Sequence, residues 1–210
     1  MYLTAGDHAR VKIFVIPVPP TPKQSSTEPG LPVHYTIPLA LTSSHVSTNI
    51  QPLLDGRLLF TQSSLTSPND VFILRGLDQL EEDLRNRKSI VYQGHPEQIT
   101  RFTEDALKGK DLDEGQDFWF KSANNDVHGW ILKPKGWKKG EKKKWPVVML
   151  IHGGLFGVRL PRPHDDWLDL GPQGAWEDSW STRWNPNIFA QQGYFVVAIN
   201  PTGSTSFGQG

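Results

Sequence analysis

Two short stretches constrain the fold of this chain more than anything else in it. Residues 146–151 (PVVMLI) and 194–199 (YFVVAI) are continuous apolar runs, each the length of one strand. Unbroken apolarity, in place of alternation, is what a strand covered on both faces shows. Pro146 stands first in its run, where a missing N–H costs least. Between the runs, Asn185-Pro186 reads as an N-cap followed by proline at N1. Ile188, Phe189 and Ala190 supply an apolar face, and Gly193 reads as the glycine just past the helix end. Strand, helix, strand at this spacing predicts a βαβ unit with a right-handed crossover, hence a parallel sheet. Upstream, 117–121 (DFWFK) and 127–133 (VHGWILK) flank Asn124-Asn125, which tolerate left-handed φ, so a β-hairpin is expected.

The first half has another character. All eight tryptophans (119, 130, 137, 145, 167, 176, 180 and 184) follow Asp111, and glycine rises from 6 in 1–110 to 13 in 111–210. Two units are expected, 1–112 and 113–210, meeting in the polar passage 103–116 (TEDALKGKDLDEGQ). Residues 11–18 (VKIFVIPV) read as a strand ended by Pro17 and Pro19, and 19–30 as a Pro/Ser-rich loop. Then come a turn at Asp55-Gly56, a strand over 57–62, a turn over 67–70 and a strand over 71–74. Residues 77–88 read as a charged amphipathic helix, with Leu77, Leu80 and Leu84 on one stripe. Paired strands with short polar turns suit a β-propeller blade, and a sandwich fits nearly as well.

Charge and composition exclude several classes. There are 22 basic and 22 acidic residues, 11 of each in either half, so neither half carries the basic surplus that nucleic acid or an anionic membrane requires. No run approaches the roughly 18 apolar residues of a membrane span. The absence of cysteine excludes a disulfide framework, thiolate zinc and a cysteine nucleophile. The first residues show neither the basic nor the apolar stretch of a signal peptide. Residues 138–144 (KKGEKKK) read as a solvated loop, with a small anion patch as the alternative.

Ligands of parallel α/β sheets bind outside the carboxyl ends of the strands, and two segments occupy those ends. His152-Gly153-Gly154 follows the first run directly. Consecutive glycines let backbone N–H groups approach a developing negative charge, as an oxyanion hole requires, although the same residues also make a tight turn. Asn200-Pro201-Thr202-Gly203-Ser204-Thr205-Ser206-Phe207-Gly208 follows the second. It lacks the Gly-x-x-x-x-Gly-Lys of a phosphate cradle, and no cofactor is expected. His164-Asp165-Asp166 is too thin a pattern to predict a metal site.

Taken together, His152-Gly153-Gly154, Pro172-Gln173-Gly174-Ala175-Trp176, the helix and the 193–208 stretch (GYFVVAINPTGSTSFG) resemble the prolyl oligopeptidase family of serine peptidases. Within that family they look like the fungal dipeptidyl peptidase V branch. Thr202 stands where most of the wider family has arginine. The resemblance implies a multi-domain β plus α/β chain: the C-terminal blades of a β-propeller, then the beginning of an α/β-hydrolase domain. It implies a secreted serine exopeptidase that releases N-terminal dipeptides from peptides. His152, Gly153 and Gly154 would form its oxyanion loop, with the side chain of His152 bracing that loop. Trp176, Trp180 and Trp184 would pack around it.

The resemblance also shows what to expect elsewhere. The family's nucleophile lies in a Gly-x-Ser-x-Gly turn, and no such motif occurs in these residues. Ser204 and Ser206 lack its glycine spacing, so the catalytic Ser, Asp and His are expected beyond Gly210, and the chain as given is expected to be an inactive fragment. The branch's pattern also runs His-Gly-Gly-Pro-Gln-Gly without a break, whereas 17 residues (155–171) separate Gly154 from Pro172 here. They read as an insert, of a size that fits a short intron carried in frame. The rival function classes are a non-catalytic propeller-type protein-binding module and an esterase-like α/β-hydrolase.

Overall fold

The structure is a computed structural model that describes residues 1–16, 38–85, 92–152, 160–161, 167–168 and 174–208. The chain is mostly β-sheet with few helices. Its first part runs β1 (Tyr2–Gly6), β2 (Val11–Val15), β3 (Leu39–Ala40), β4 (Val46–Pro52), β5 (Leu58–Ser64), β6 (Ser67–Leu74), α1 (Leu77–Arg85), β7 (Glu97–Gln98) and α2 (Glu104–Leu107). These strands form one sheet in the order β1-β2-β4-β5-β6-β7, with β3 on the side of β2. Pairing is antiparallel except at a single parallel bridge, Val11 to Val46. Among the described residues this sheet does not close on itself.

Alternation along β5 and β2 buries Leu58, Phe60, Ile13 and Val15 on one face, and α1 lays Leu77 and Leu80 against them. Each such side chain contributes roughly 1.5–3 kcal/mol on full burial, which holds the helix to the sheet. The expected helix is therefore present, ending at Arg85 among the described residues. The expected turn over 67–70 lies elsewhere. Leu65-Thr66 make the turn and β6 already begins at Ser67, because the Ser64 hydroxyl accepts from the Thr66 and Ser67 N–H groups and tightens the hairpin. The 19–30 loop lies outside the described residues.

The second part contains β8 (Gln116–Ser122), β9 (Asn125–Leu132), β10 (Val147–Ile151), β11 (Leu160–Pro161), β12 (Trp167–Leu168), α3 (Pro186–Gln191) and β13 (Phe195–Asn200). Strands β11 and β12 form an antiparallel pair of their own. The main sheet has the order β10-β13-β9-β8, and β10 and β13 are parallel, as the two apolar runs predict. Between them, the Asn185 side chain caps α3 by accepting from Asn187 N at 2.9 Å. Pro186 opens the helix, and Gly193 (φ 90°) carries the chain out of it. The β8–β9 hairpin forms as expected, but Ala123 (φ 52°), not either asparagine, takes the left-handed position. Gly129 gives the Phe118 ring room in β9: a Cβ there would sit about 2.8 Å from that ring and 3.0 Å from Ile199, so both side chains would have to shift.

One expectation fails. β10 is not covered on both faces, since Val147, Met149 and Ile151 are 60%, 59% and 67% exposed. Among the described residues β10 stands at the edge of its sheet, and no element packs on that face. Its other face joins Val196, Ala198, Trp130, Leu132 and Ala190 in a core that also takes in Ala9 and Leu65 from the first part. Polar clasps reinforce this junction. Asp178 accepts from His45 Nδ1 (2.8 Å), His45 N (3.2 Å) and Leu65 N (3.2 Å). Asn187 donates to the Leu65 and Asp113 carbonyls and accepts from Asp113 N.

Candidate functional site

The register of β10 on β13 pairs Ile151 with Ile199, so His152 and Asn200 emerge side by side at the carboxyl end of the parallel pair. His152 Nε2 lies 2.9 Å from Ser204 Oγ. A histidine and a serine at this distance invite a nucleophile–base reading, but the hydroxyl is otherwise engaged. Ser204 Oγ donates to the Pro201 carbonyl at 2.7 Å, and the residue is only 4% exposed. With its one proton given to Pro201, Ser204 accepts from His152, whose Nε2 therefore carries a hydrogen. The pair is a brace between the ends of two strands. Gly153 and Gly154 lie outside the described residues, as do His164, Asp165, Asp166 and nearly all of 155–171.

The loop after β13 is shaped by Gly203 (φ 91°) and Ser206 (φ 75°). It is tied on both sides. Thr205 Oγ1 accepts from Ala175 N at 3.0 Å, and Ser206 O accepts from His8 N at 2.8 Å. The Ser206 hydroxyl is buried with no partner among the described residues, which leaves no base to activate it. Asn200 accepts from Trp176 N through Oδ1 (2.6 Å) and donates to Trp176 O (3.0 Å) and to His128 Nδ1 (2.9 Å). The Trp130 indole N–H adds a bond to Trp176 O. The backbone at Trp176 is thus held through both its N–H and its carbonyl.

Trp176 packs against the core of the second sheet. With Trp180 and Trp184 it also walls a cavity of about 380 Å³ that reaches Leu65 on the first sheet. Glu177 lines the same cavity, and burial holds its carboxyl above the usual carboxylate range. The 138–144 run is a solvated loop, as expected. Its organised contacts are local: Lys143 over the Trp145 ring, and Glu141 accepting from the Trp145 indole and Lys138 N. Among the described residues no cluster of His, Asp or Glu is arranged to hold a metal ion.

Sequence reasoning missed the polar residues that organise this end of the molecule. Nothing near Asp178 announces that its partner is His45, 133 residues away. His128 sits in an apolar strand pattern, and only its position opposite Asn200 across the β9–β13 ladder gives it a role.

No protein-family model matches the chain. Over all 210 residues, however, it is 33% identical to dipeptidyl-peptidase 5 of Trichophyton equinum and to that of Trichophyton tonsurans. The chain is homologous to a section of these dipeptidyl peptidases. It spans 23% of their length. Among solved structures, a Pyrococcus horikoshii acylaminoacyl peptidase matches 98% of the chain, with a TM-score of 0.62 at 19% identity over 24% of its own length. A puromycin-hydrolyzing peptidase of Mycobacterium tuberculosis matches 99%, with a TM-score of 0.52 at 14% identity over 25% of its length. At those identities the likeness is one of fold. The dipeptidyl-peptidase 5 homology thus agrees with the family suggested by the 193–208 stretch and His152-Gly153-Gly154. Among the described residues, no helix is long and apolar enough to cross a membrane.

Proposed function

We propose that this chain is the oxyanion-loop section of a secreted serine exopeptidase of the dipeptidyl-peptidase 5 type, acting on the N-termini of peptides. In this reading 1–112 contributes propeller blades and 113–210 opens the α/β-hydrolase domain. The observation that carries it is homology along all 210 residues to a 23% section of dipeptidyl-peptidase 5, joined to the seating of His152 at the carboxyl end of a parallel strand.

The division of labour follows from the chemistry. A serine nucleophile attacks the scissile carbonyl, a histidine takes its proton, and an aspartate orients that histidine. The N–H groups of Gly153 and Gly154 stabilise the tetrahedral oxyanion, while His152, held by Ser204, braces the start of their loop. Removing one donor from such a hole costs about 10²–10³ in rate, so the loop's placement matters as much as its composition. The triad is supplied from outside these residues, because Ser204 and Ser206 have no activated proton to give up. In this reading 155–171 interrupt the His-Gly-Gly-Pro-Gln-Gly pattern as an insert that the mature transcript lacks.

Two experiments test this. Sequencing the mature transcript asks whether the codons for 155–171 are retained; the proposal expects them to be removed. Assaying the protein made from that transcript on a panel of dipeptidyl-nitroanilides asks for the activity. Release of dipeptides supports the peptidase, and a folded, inert protein refutes it.

A further inference from the structure

His128 is 1% exposed and boxed in by rings, with Trp119, Trp130 and Phe207 centred 5.0–5.3 Å from the imidazole. Its tautomer is set by a neighbour. Trp176 N–H must donate, so the Asn200 atom facing it is the amide oxygen; the Asn200 NH₂ then faces both Trp176 O and His128 Nδ1. His128 Nδ1 is therefore a bare acceptor, and the proton of the neutral ring sits on Nε2. Nε2 has no hydrogen-bond partner among the described residues.

We infer that His128, Asn200 and the backbone of Trp176 form an acid-sensitive latch: neutral His128 holds the Asn200 amide in the one orientation that clamps Trp176, and protonation of His128 releases it. A proton on Nδ1 would point an N–H at the Asn200 NH₂, donor against donor. Turning the amide to accept it would put NH₂ against Trp176 N–H and lose the 2.6 Å bond. Either way the clamp on Trp176 is lost. That matters beyond one residue, because Trp176 also lines the 380 Å³ cavity.

The surroundings favour the neutral ring. Asp117 on β8 favours protonation, whereas Arg10 and His8, on the turn before β2, oppose it. Strand β13 and the 201–208 loop bring no ionisable group. Of the acids following Trp176, Asp178 is occupied by His45 and Leu65, and Glu177 lines the cavity. Burial dominates the balance and lowers the imidazole from its usual 6.5 to about 4. The inference is independent of the peptidase reading, since it concerns only how the sheet end is held.

The test is amide hydrogen exchange at Trp176 with ¹⁵N detection of the His128 ring, on the 210-residue chain at pH 7 and pH 5. After correction for the intrinsic rate, Trp176 protection should fall roughly twenty-fold, from linkage to a ring that titrates near 6.5 when released. The ring should report hydrogen on Nε2 at pH 7. His128→Gln, which keeps an acceptor and cannot titrate, should hold Trp176 protection constant across the two pH values. Asn200→Ala should abolish the difference by removing the clamp at both. Hydrogen on Nδ1 at neutral pH, or an equal pH response in the wild type and His128→Gln, overturns the latch. The ring tautomer is read on the wild-type chain alone, so a variant that fails to fold does not remove the test.

Discussion

Asp178 and His45 lie 133 residues apart and meet at 2.8 Å, with the same carboxylate also accepting the Leu65 N–H. One buried acid thus fastens the turn of the β5–β6 hairpin to the segment that precedes α3. Asp178→Ala leaves two backbone N–H groups and a histidine without their acceptor, and should lower stability by about 2–4 kcal/mol. Urea unfolding followed by tryptophan fluorescence measures this. A loss below about 0.5 kcal/mol would mean that the clasp is incidental to how the two sheets join.

The pH dependence of stability carries a definite sign. His128 is held near 4 in the folded chain and returns to about 6.5 when unfolded, so between these values the unfolded state binds more protons. Its contribution is complete above pH 6.5 and is lost as pH falls toward 4, by up to about 3 kcal/mol. Glu177 acts oppositely: its raised carboxyl favours the unfolded state once pH passes above the ordinary carboxylate range. Unfolding midpoints at pH 7, 5.5 and 4.5 in wild type and His128→Gln isolate the histidine's share, which should vanish in the variant.

How much of this was legible beforehand depends on what kind of interaction each part uses. β10, β13 and α3 were readable because their signals are local: unbroken apolar runs, an Asn-Pro cap and a terminal glycine. β4 was not. Val46–Pro52 is largely polar, is interrupted by Asn49 at φ 52°, and holds its place through Thr48–Thr61 and Ser47–Gln62 bonds to β5. The coverage of β10 was misread because an apolar strand states what it needs, not what it has. The latch at His128 depends on a cross-strand register, which no local pattern in the sequence specifies.

The uncovered face of β10 should be adhesive. Val147, Met149 and Ile151 form an apolar stripe beside a strand edge that has no partner among the described residues. Met149→Lys should cut binding of the dye ANS and slow self-association, while changing stability by no more than about 0.5 kcal/mol, as for an exposed site. A large loss of stability would show that the face is covered in solution.

Ser204 should behave as a brace. Ser204→Ala removes the hydroxyl shared by Pro201 and His152 and should cost about 1–2 kcal/mol in stability. The wild-type 210-residue chain should take up no serine-directed phosphonate, as intact-mass measurement would show.

The most direct test of the account is to label the protein made from the mature transcript with a fluorophosphonate and locate the adduct by peptide mass spectrometry. The account predicts one modified serine, in a Gly-x-Ser-x-Gly sequence outside residues 1–210, with dipeptide release lost in step with labelling. An adduct on Ser204, Ser206 or any other serine of these 210 residues would contradict it, as would a folded protein that takes no label.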